Sequence, residues 1–281
     1  MRKEKNSIKT DRAWNNVYAR LEKEGLLTSR VSEPPTRTIV RKWSLTAAAA
    51  AVICIVLSVI YIGKKDTAEQ LLITEHNQEN SISLVTTLED GSVVYLAGHT
   101  SLQYPQHFSP DKREVSLLGN ALFDVAGNRA RPFLIETEDA RIEVIGTAFN
   151  IKSNNKKPFE LSVQRGEVTV TLKRNGEQTR VKAGETVTLH SHTLHLSPTN
   201  DPAQFARYTE RIRFKDEKLK NILRVINLQT PDIRLETVPA LENRTLTVTF
   251  SDNSPEMMAE LICRALKVKL QKADNVITLF E

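Results

Sequence analysis

The chain has 281 residues, 26% of them charged and 40% hydrophobic, a balance that excludes wholesale disorder and offers more material than one small core needs. Its two cysteines, Cys54 and Cys263, exclude a disulfide framework and lack the paired spacing of a zinc site. The net charge of +5 is concentrated: residues 1–42 hold 11 Lys/Arg against 5 Asp/Glu, whereas the rest holds 28 against 29, so direct nucleic-acid binding is not expected.

In chain order, the first predicted element is a helix in DRAWNNVYARLEKEGLL. Trp14, Val17, Tyr18 and Leu21 recur at i, i+3, i+4 and i+7, with Asp11 as N-cap and Gly25 as the stop. A lone short helix cannot bury such a face on itself. Two readings follow: docking into a groove on a partner, with Trp14 and Tyr18 as aromatic anchors, or lying on an anionic membrane surface through Arg12, Arg20 and Lys23. The aromatic content favours docking. Pro34-Pro35 then stiffens a linker.

Trp43 to Gly63 carries no charge and is long enough to cross roughly 30 Å of hydrocarbon as a helix. Nine of its residues are Leu, Ile or Val, so insertion gains roughly 3–5 kcal/mol. Arg37, Arg41 and Lys42 flank one end within the 11-cation segment, and only Lys64 and Lys65 the other, which keeps the N-terminus cytoplasmic. The expectation is a single-pass inner-membrane anchor with the C-terminus periplasmic.

After a spacer at 64–81, the period becomes two. Ser92 to Leu96, Arg113 to Leu117, Arg141 to Ile145, Glu167 to Leu172 and Thr186 to Leu189 read as short strands. Turn signals separate them at Asp90-Gly91, Gly119-Asn120, Gly127-Asn128, Asn175-Gly176 and Ala183-Gly184. This predicts an all-β unit over 82–200, a solenoid or a sandwich. Residues 201–281 change period again. Leu219, Ile222, Leu223 and Ile226 form one helical face; Met258, Leu261, Ile262 and Ala265 form another, capped by Ser254 and Pro255. A shift of 36 residues pairs Ile212 with Val248, Phe214 with Phe250 and Ile226 with Ile262. Two strand-helix-strand units are therefore expected to build a small α/β domain able to fold alone. The expected fold class is multidomain α+β: a cytoplasmic helix (1–42), one transmembrane helix (43–63), an all-β domain and this α/β domain.

The blocks LEDGSVVYLAGHTSLQYPQHF, REVSLLGNALFDVAGNRARPFLIET, IEVIGTAFNI and LSVQRGEVTV, in that order, resemble the FecR domain of bacterial transmembrane anti-sigma factors. Residues 211–280 resemble the small domain that follows FecR in Bacteroidetes-type members, akin to the short N-terminal domains of secretins and TonB-dependent receptors. The segment around Ala13-Trp14 and Val17 to Glu22 resembles their cytoplasmic ends. Glu89 stands where the family usually has proline, and Asn120 where it usually has glutamate. The resemblance implies a regulator whose cytoplasmic face, Trp14, Val17, Tyr18 and Leu21, binds an extracytoplasmic-function sigma factor. Its periplasmic part then receives a signal from a TonB-dependent outer-membrane receptor.

No P-loop, Rossmann fingerprint, HExxH or GxSxG occurs, so the chain is not expected to be an enzyme or to need a cofactor or metal. His190, His192 and His195 read as a polar face rather than a metal site. Some FecR-like regulators split at a Gly-Thr bond such as Gly146-Thr147, by attack of the threonine hydroxyl on the preceding carbonyl. The alternative, a structural glycine between two strands, is the simpler reading. The competing functional class is a membrane-anchored periplasmic adaptor or envelope-assembly protein that binds carbohydrate or a secretin-like complex.

Overall fold

The computed structural model describes residues 14–17, 19–25, 71–154, 157–251 and 254–281. Residues 1–67 and 68–281 are two separate units. In the first, residues 14–17 and 19–23 are helical, and Gly25, at φ +66°, occupies the left-handed conformation that ends helices.

The second unit is mostly β. Its strands begin with β1 (Leu72–Asn77), inside the stretch read as a spacer, then β2 (Ser83–Thr87), β3 (Val93–Leu96), β4 (Thr100–Pro105) and β5 (Arg113–Asp124). There follow β6 (Phe133–Glu136), β7 (Ala140–Val144), β8 (Ala148–Asn154), β9 (Lys157–Arg165), β10 (Glu167–Leu172), β11 (Gln178–Lys182), β12 (Glu185–His190) and β13 (Thr193–Pro198). After short 3-10 turns come β14 (Arg211–Lys218), α1 (Leu219–Gln229), β15 (Arg234–Thr237), β16 (Thr245–Ser251), α2 (Pro255–Leu266), β17 (Lys269–Ala273) and β18 (Val276–Phe280).

The long strand β5 belongs to two sheets. Its first half pairs with β4 and β6, in the order β1-β4-β5-β6-β7-β10-β11. Its second half pairs with β3 and β8, in the order β16-β14-β2-β3-β5-β8-β9-β12-β13. The strand changes sheet at Gly119, φ +113°, where a Cβ would stand 2.6 Å from the Thr100 hydroxyl oxygen. Thr100 spans the bend: its hydroxyl accepts from Asn120 N–H and donates to Asn120 C=O, both at 3.0 Å. Gly119-Asn120 is thus a corner within a strand, not the expected turn between strands.

Between the sheets, period-two alternation delivers Val115, Leu117, Ala121 and Phe123 of β5 to one core with Phe133, Phe149 and Phe159. Phe123 stacks on Phe149 at 5.4 Å between centroids. Strands β2 and β3 are buried on both faces, which is why SVVYL reads as a continuous apolar run. Their outer residues, Val85, Val93 and Tyr95, with Leu122, join a second core made by Phe205, Tyr208, α1, α2 and the three-stranded sheet β15-β18-β17.

This second core corrects the expected fold class. The C-terminal strand-helix pattern does form where its periodicity placed it, and Ser254 caps α2 by accepting from Met257 N–H. It is not an independent α/β domain, however. β14 runs parallel to β2, pairing Ile212, Arg213 and Phe214 with Ser83, Leu84 and Val85, so β14 and β16 extend the large barrel-like sheet. The expected transmembrane helix is also not among the described helices: none is long and apolar enough to cross a membrane, and residues 43–63 lie outside the described residues.

Candidate functional site

Of the expected sigma-binding residues, Trp14 is 61% and Val17 46% exposed, Leu21 is half-buried, and Tyr18 lies outside the described residues. Among the described residues, the helix thus leaves Trp14 and Val17 uncovered.

Gly146 and Thr147 connect β7 to β8. The reason for glycine is close approach: a Cβ on Gly146 would stand 2.6 Å from Cα of Gly127, while its φ is not left-handed. Thr147 is 2% exposed, and its hydroxyl has no hydrogen-bond partner among the described residues. Its carbonyl accepts from Val125 N–H at 2.9 Å, and its methyl lies where a Cβ on Gly166 (φ +88°) would have to go. The Ile145 carbonyl accepts from Asn128 N–H at 2.9 Å. The junction also lines a groove of about 560 Å³ with Glu143, Glu167 and Thr169.

A residue that sequence reasoning passed over holds this junction. Arg113 is 1% exposed, and its guanidinium donates to the carbonyls of Arg131 (2.9 Å), Ala126 (2.8 Å) and Ile145 (3.3 Å) and to Asp90 Oδ2 (2.6 Å). It also lies over the Phe133 ring at 5.3 Å. Asp90 accepts in addition from Ser92 N–H and Ser92 Oγ, and Ser92 Oγ accepts from Ala126 N–H. Asp90-Gly91 is a turn as expected, with Gly91 at φ +84°, but it also anchors the arginine. From the other side, Arg224 of α1 donates to the Gly91 carbonyl. One buried cation thus ties together the turn before β3, the segment after β5 and the end of β7. The signal was available: Arg113, Val115 and Leu117 share one strand face, which sets a charge in phase with core residues.

The histidines do not converge on a metal. His190 and His195 lie side by side at 5.9 Å between centroids, His192 faces Arg174, and no cluster able to hold a metal occurs among the described residues.

The Thr147 hydroxyl gives a sharp test. An orphan hydroxyl with no chemical role carries an unrecovered desolvation cost of about 1–3 kcal/mol. Thr147→Val is therefore expected to be as stable as wild type or more so in thermal melting. Wild type tagged at both ends is expected to run as one full-length band on denaturing gels. Two fragments that Thr147→Val merges into one would assign the hydroxyl a covalent role instead.

Residues 74–169 match the FecR protein family. This stretch runs from β1 through most of β10 and contains the Arg113 clamp and the Gly146-Thr147 junction. The match covers about a third of the chain, and the likeness to FecR proteins is a statement about that stretch. No curated protein matches the chain. Among solved structures, it is similar to a candidate anti-sigma factor from Parabacteroides distasonis ATCC 8503 in a 2.50 Å crystal structure, at 21% identity and TM-score 0.47, over 75% of this chain and 99% of that one. A 1.65 Å crystal structure of a candidate anti-sigma factor from the same organism aligns at 20% identity and TM-score 0.46, over 74% of this chain and 99% of that one.

Proposed function

We propose that the protein is an anti-sigma factor that binds an extracytoplasmic-function sigma factor through its N-terminal helix and relays a periplasmic signal from a TonB-dependent outer-membrane receptor. The observation that carries this reading is the FecR domain over residues 74–169, a family of regulators rather than enzymes. The uncovered Trp14 and Val17 supply the chemistry for the sigma contact, since buried aromatic anchors dominate helix-in-groove docking. The proposed location is the inner membrane, with the N-terminus cytoplasmic and the C-terminus periplasmic. It rests on the charge-free run 43–63 and on the cations that precede it.

Loss of one aromatic anchor commonly costs about 2 kcal/mol, roughly thirtyfold in affinity. Trp14→Ala is therefore expected to release the sigma factor from the protein extracted in detergent and to raise transcription of its target genes. Unchanged co-purification from a normally accumulating variant would refute the assignment of this face. Orientation is read separately: a phosphatase active only in the periplasm should work when fused after Glu281 and fail after Thr38. The reverse pattern would remove the regulatory reading with the topology.

A further inference from the structure

Among the described residues of the second unit, six strands have an open edge: β1, β11, β13 and β16 in the joined sheets, and β15 and β17 in the three-stranded sheet. An open row of N–H and C=O groups invites a foreign strand, and proteins guard against this with charges, prolines or a covering group. Five of the six edges carry such guards. β1 has Glu75 and His76, β11 has Arg180 and Lys182, β13 has His195 and Pro198, and β17 has Lys269 and Lys272. β15 carries Arg234 and Glu236 and is also closed by Asn227 of α1. The Asn227 amide accepts from Leu235 N–H at 2.8 Å and donates to Leu235 C=O at 2.9 Å, taking the place of a partner strand.

β16 differs. Its seven residues, TLTVTFS, include no charge and no proline; one side pairs with β14, and along Thr245 to Phe250 no strand among the described residues pairs with the other. Its sequence is also symmetric about Val248. In an antiparallel pairing of two such strands centred there, Val248 meets Val248, Thr247 meets Thr249 and Leu246 meets Phe250. Directly opposed residues share a face, so threonine meets threonine on the exposed face, where the Thr247 hydroxyl is already held by Asp216, and apolar meets apolar on the face that already covers the second core. A twofold interface must be self-complementary in this way, and a strand from an unrelated protein need not be. We propose that β16 pairs antiparallel with β16 of a second copy of this chain, continuing the large sheet across a twofold axis at Val248.

The test uses the full-length chain in detergent, weighed by light scattering. Wild type is expected at twice the chain mass. Because Val248 faces itself across the axis, Val248→Glu and Val248→Lys each set like charges in opposition and are each expected to be monomeric. Mixed in equal amounts, they are expected to regain the dimer mass. Register is read independently by co-expressing two differently tagged copies, one carrying Thr247→Cys and the other Thr249→Cys. Opposed residues stand about 5 Å apart at Cβ, close to disulfide geometry, so mild oxidation should link the two and mass spectrometry should identify the joined peptides. The same experiment with Thr245→Cys and Thr249→Cys should give no link. A monomeric wild type, a dimer that neither charge variant disturbs, or absence of the Thr247–Thr249 link overturns the proposal. The cysteine pair lies on the exposed face and decides the matter even if the Val248 variants fail to fold.

Discussion

A chain ending at Asn200 is expected to lose its cooperative thermal transition and to bind a hydrophobic dye, instead of persisting as a free-standing all-β domain. Removing residues 201–281 uncovers Val85, Val93, Tyr95 and Leu122, now buried in the second core. At roughly 1.5–3 kcal/mol each, these four side chains represent roughly 6–12 kcal/mol of burial. That is comparable to the roughly 5–15 kcal/mol net stability of a typical domain. The polar losses add to it. Asn150, 1% exposed, is held by Gln204 at 3.0 Å and Tyr208 Oη at 2.8 Å, and both partners lie beyond the cut. The truncation also removes β14 from the edge of β2, Gln229 from the Tyr95 hydroxyl, and Arg224 from the Gly91 carbonyl. Tyr95, whose hydroxyl pKa burial pushes up to about 12, would then stand open to solvent. A truncated chain that melts cooperatively at the wild-type temperature would show that the second core is dispensable. The practical consequence is that the proposed signal reception must be probed by point substitutions, because deleting the C-terminal region removes part of the large sheet's own covering.

Elements were legible in the sequence where one face alone determines the pattern. Leu219, Ile222, Leu223 and Ile226 are all buried, as the helical period requires. The connection between elements was not legible. The parallel pairing of β14 with β2 joins residues about 130 positions apart, and nothing in RIRF or SLVT names the other as its partner. Gly119 misled for a related reason: glycine followed by asparagine is the composition of a turn, and only the closeness of Thr100 shows that it serves a bend within one strand. On α2, Ala265 was placed on the buried face but is exposed; Ala259, Cys263 and Leu266 are buried in its stead, because this helix packs against both β16 and the three-stranded sheet. The candidate site was half legible. Gly146 and Thr147 stood out only through the family resemblance, and the reason for the glycine is the backbone of Gly127 and not a left-handed φ.

Arg113→Met is expected to be the most damaging single substitution in the FecR domain, costing about 3–5 kcal/mol, the usual loss when one partner of a buried ion pair is removed. Methionine fills much of the volume and spares the packing on Phe133, so the loss reports the guanidinium. Asp90, whose side chain is 11% exposed, would keep its charge with only Ser92 to satisfy it. The Arg131 and Ala126 carbonyls would lose a charged donor, while that of Ile145 would retain Asn128 N–H. For a unit of this size, about 2–4 °C accompanies each kcal/mol, so the melting midpoint should fall by roughly 6–20 °C. Arg113→Lys should recover little, because one ammonium cannot reach four acceptors in the plane that the guanidinium spans. Combining Arg113→Met with Asp90→Asn removes the stranded charge and should restore part of the loss, with a coupling of about 0.5–3 kcal/mol between the two positions. If Arg113→Met costs less than about 1 kcal/mol, or if Asp90→Asn brings no recovery, the clamp is not what holds the turn before β3 to the Gly146-Thr147 junction.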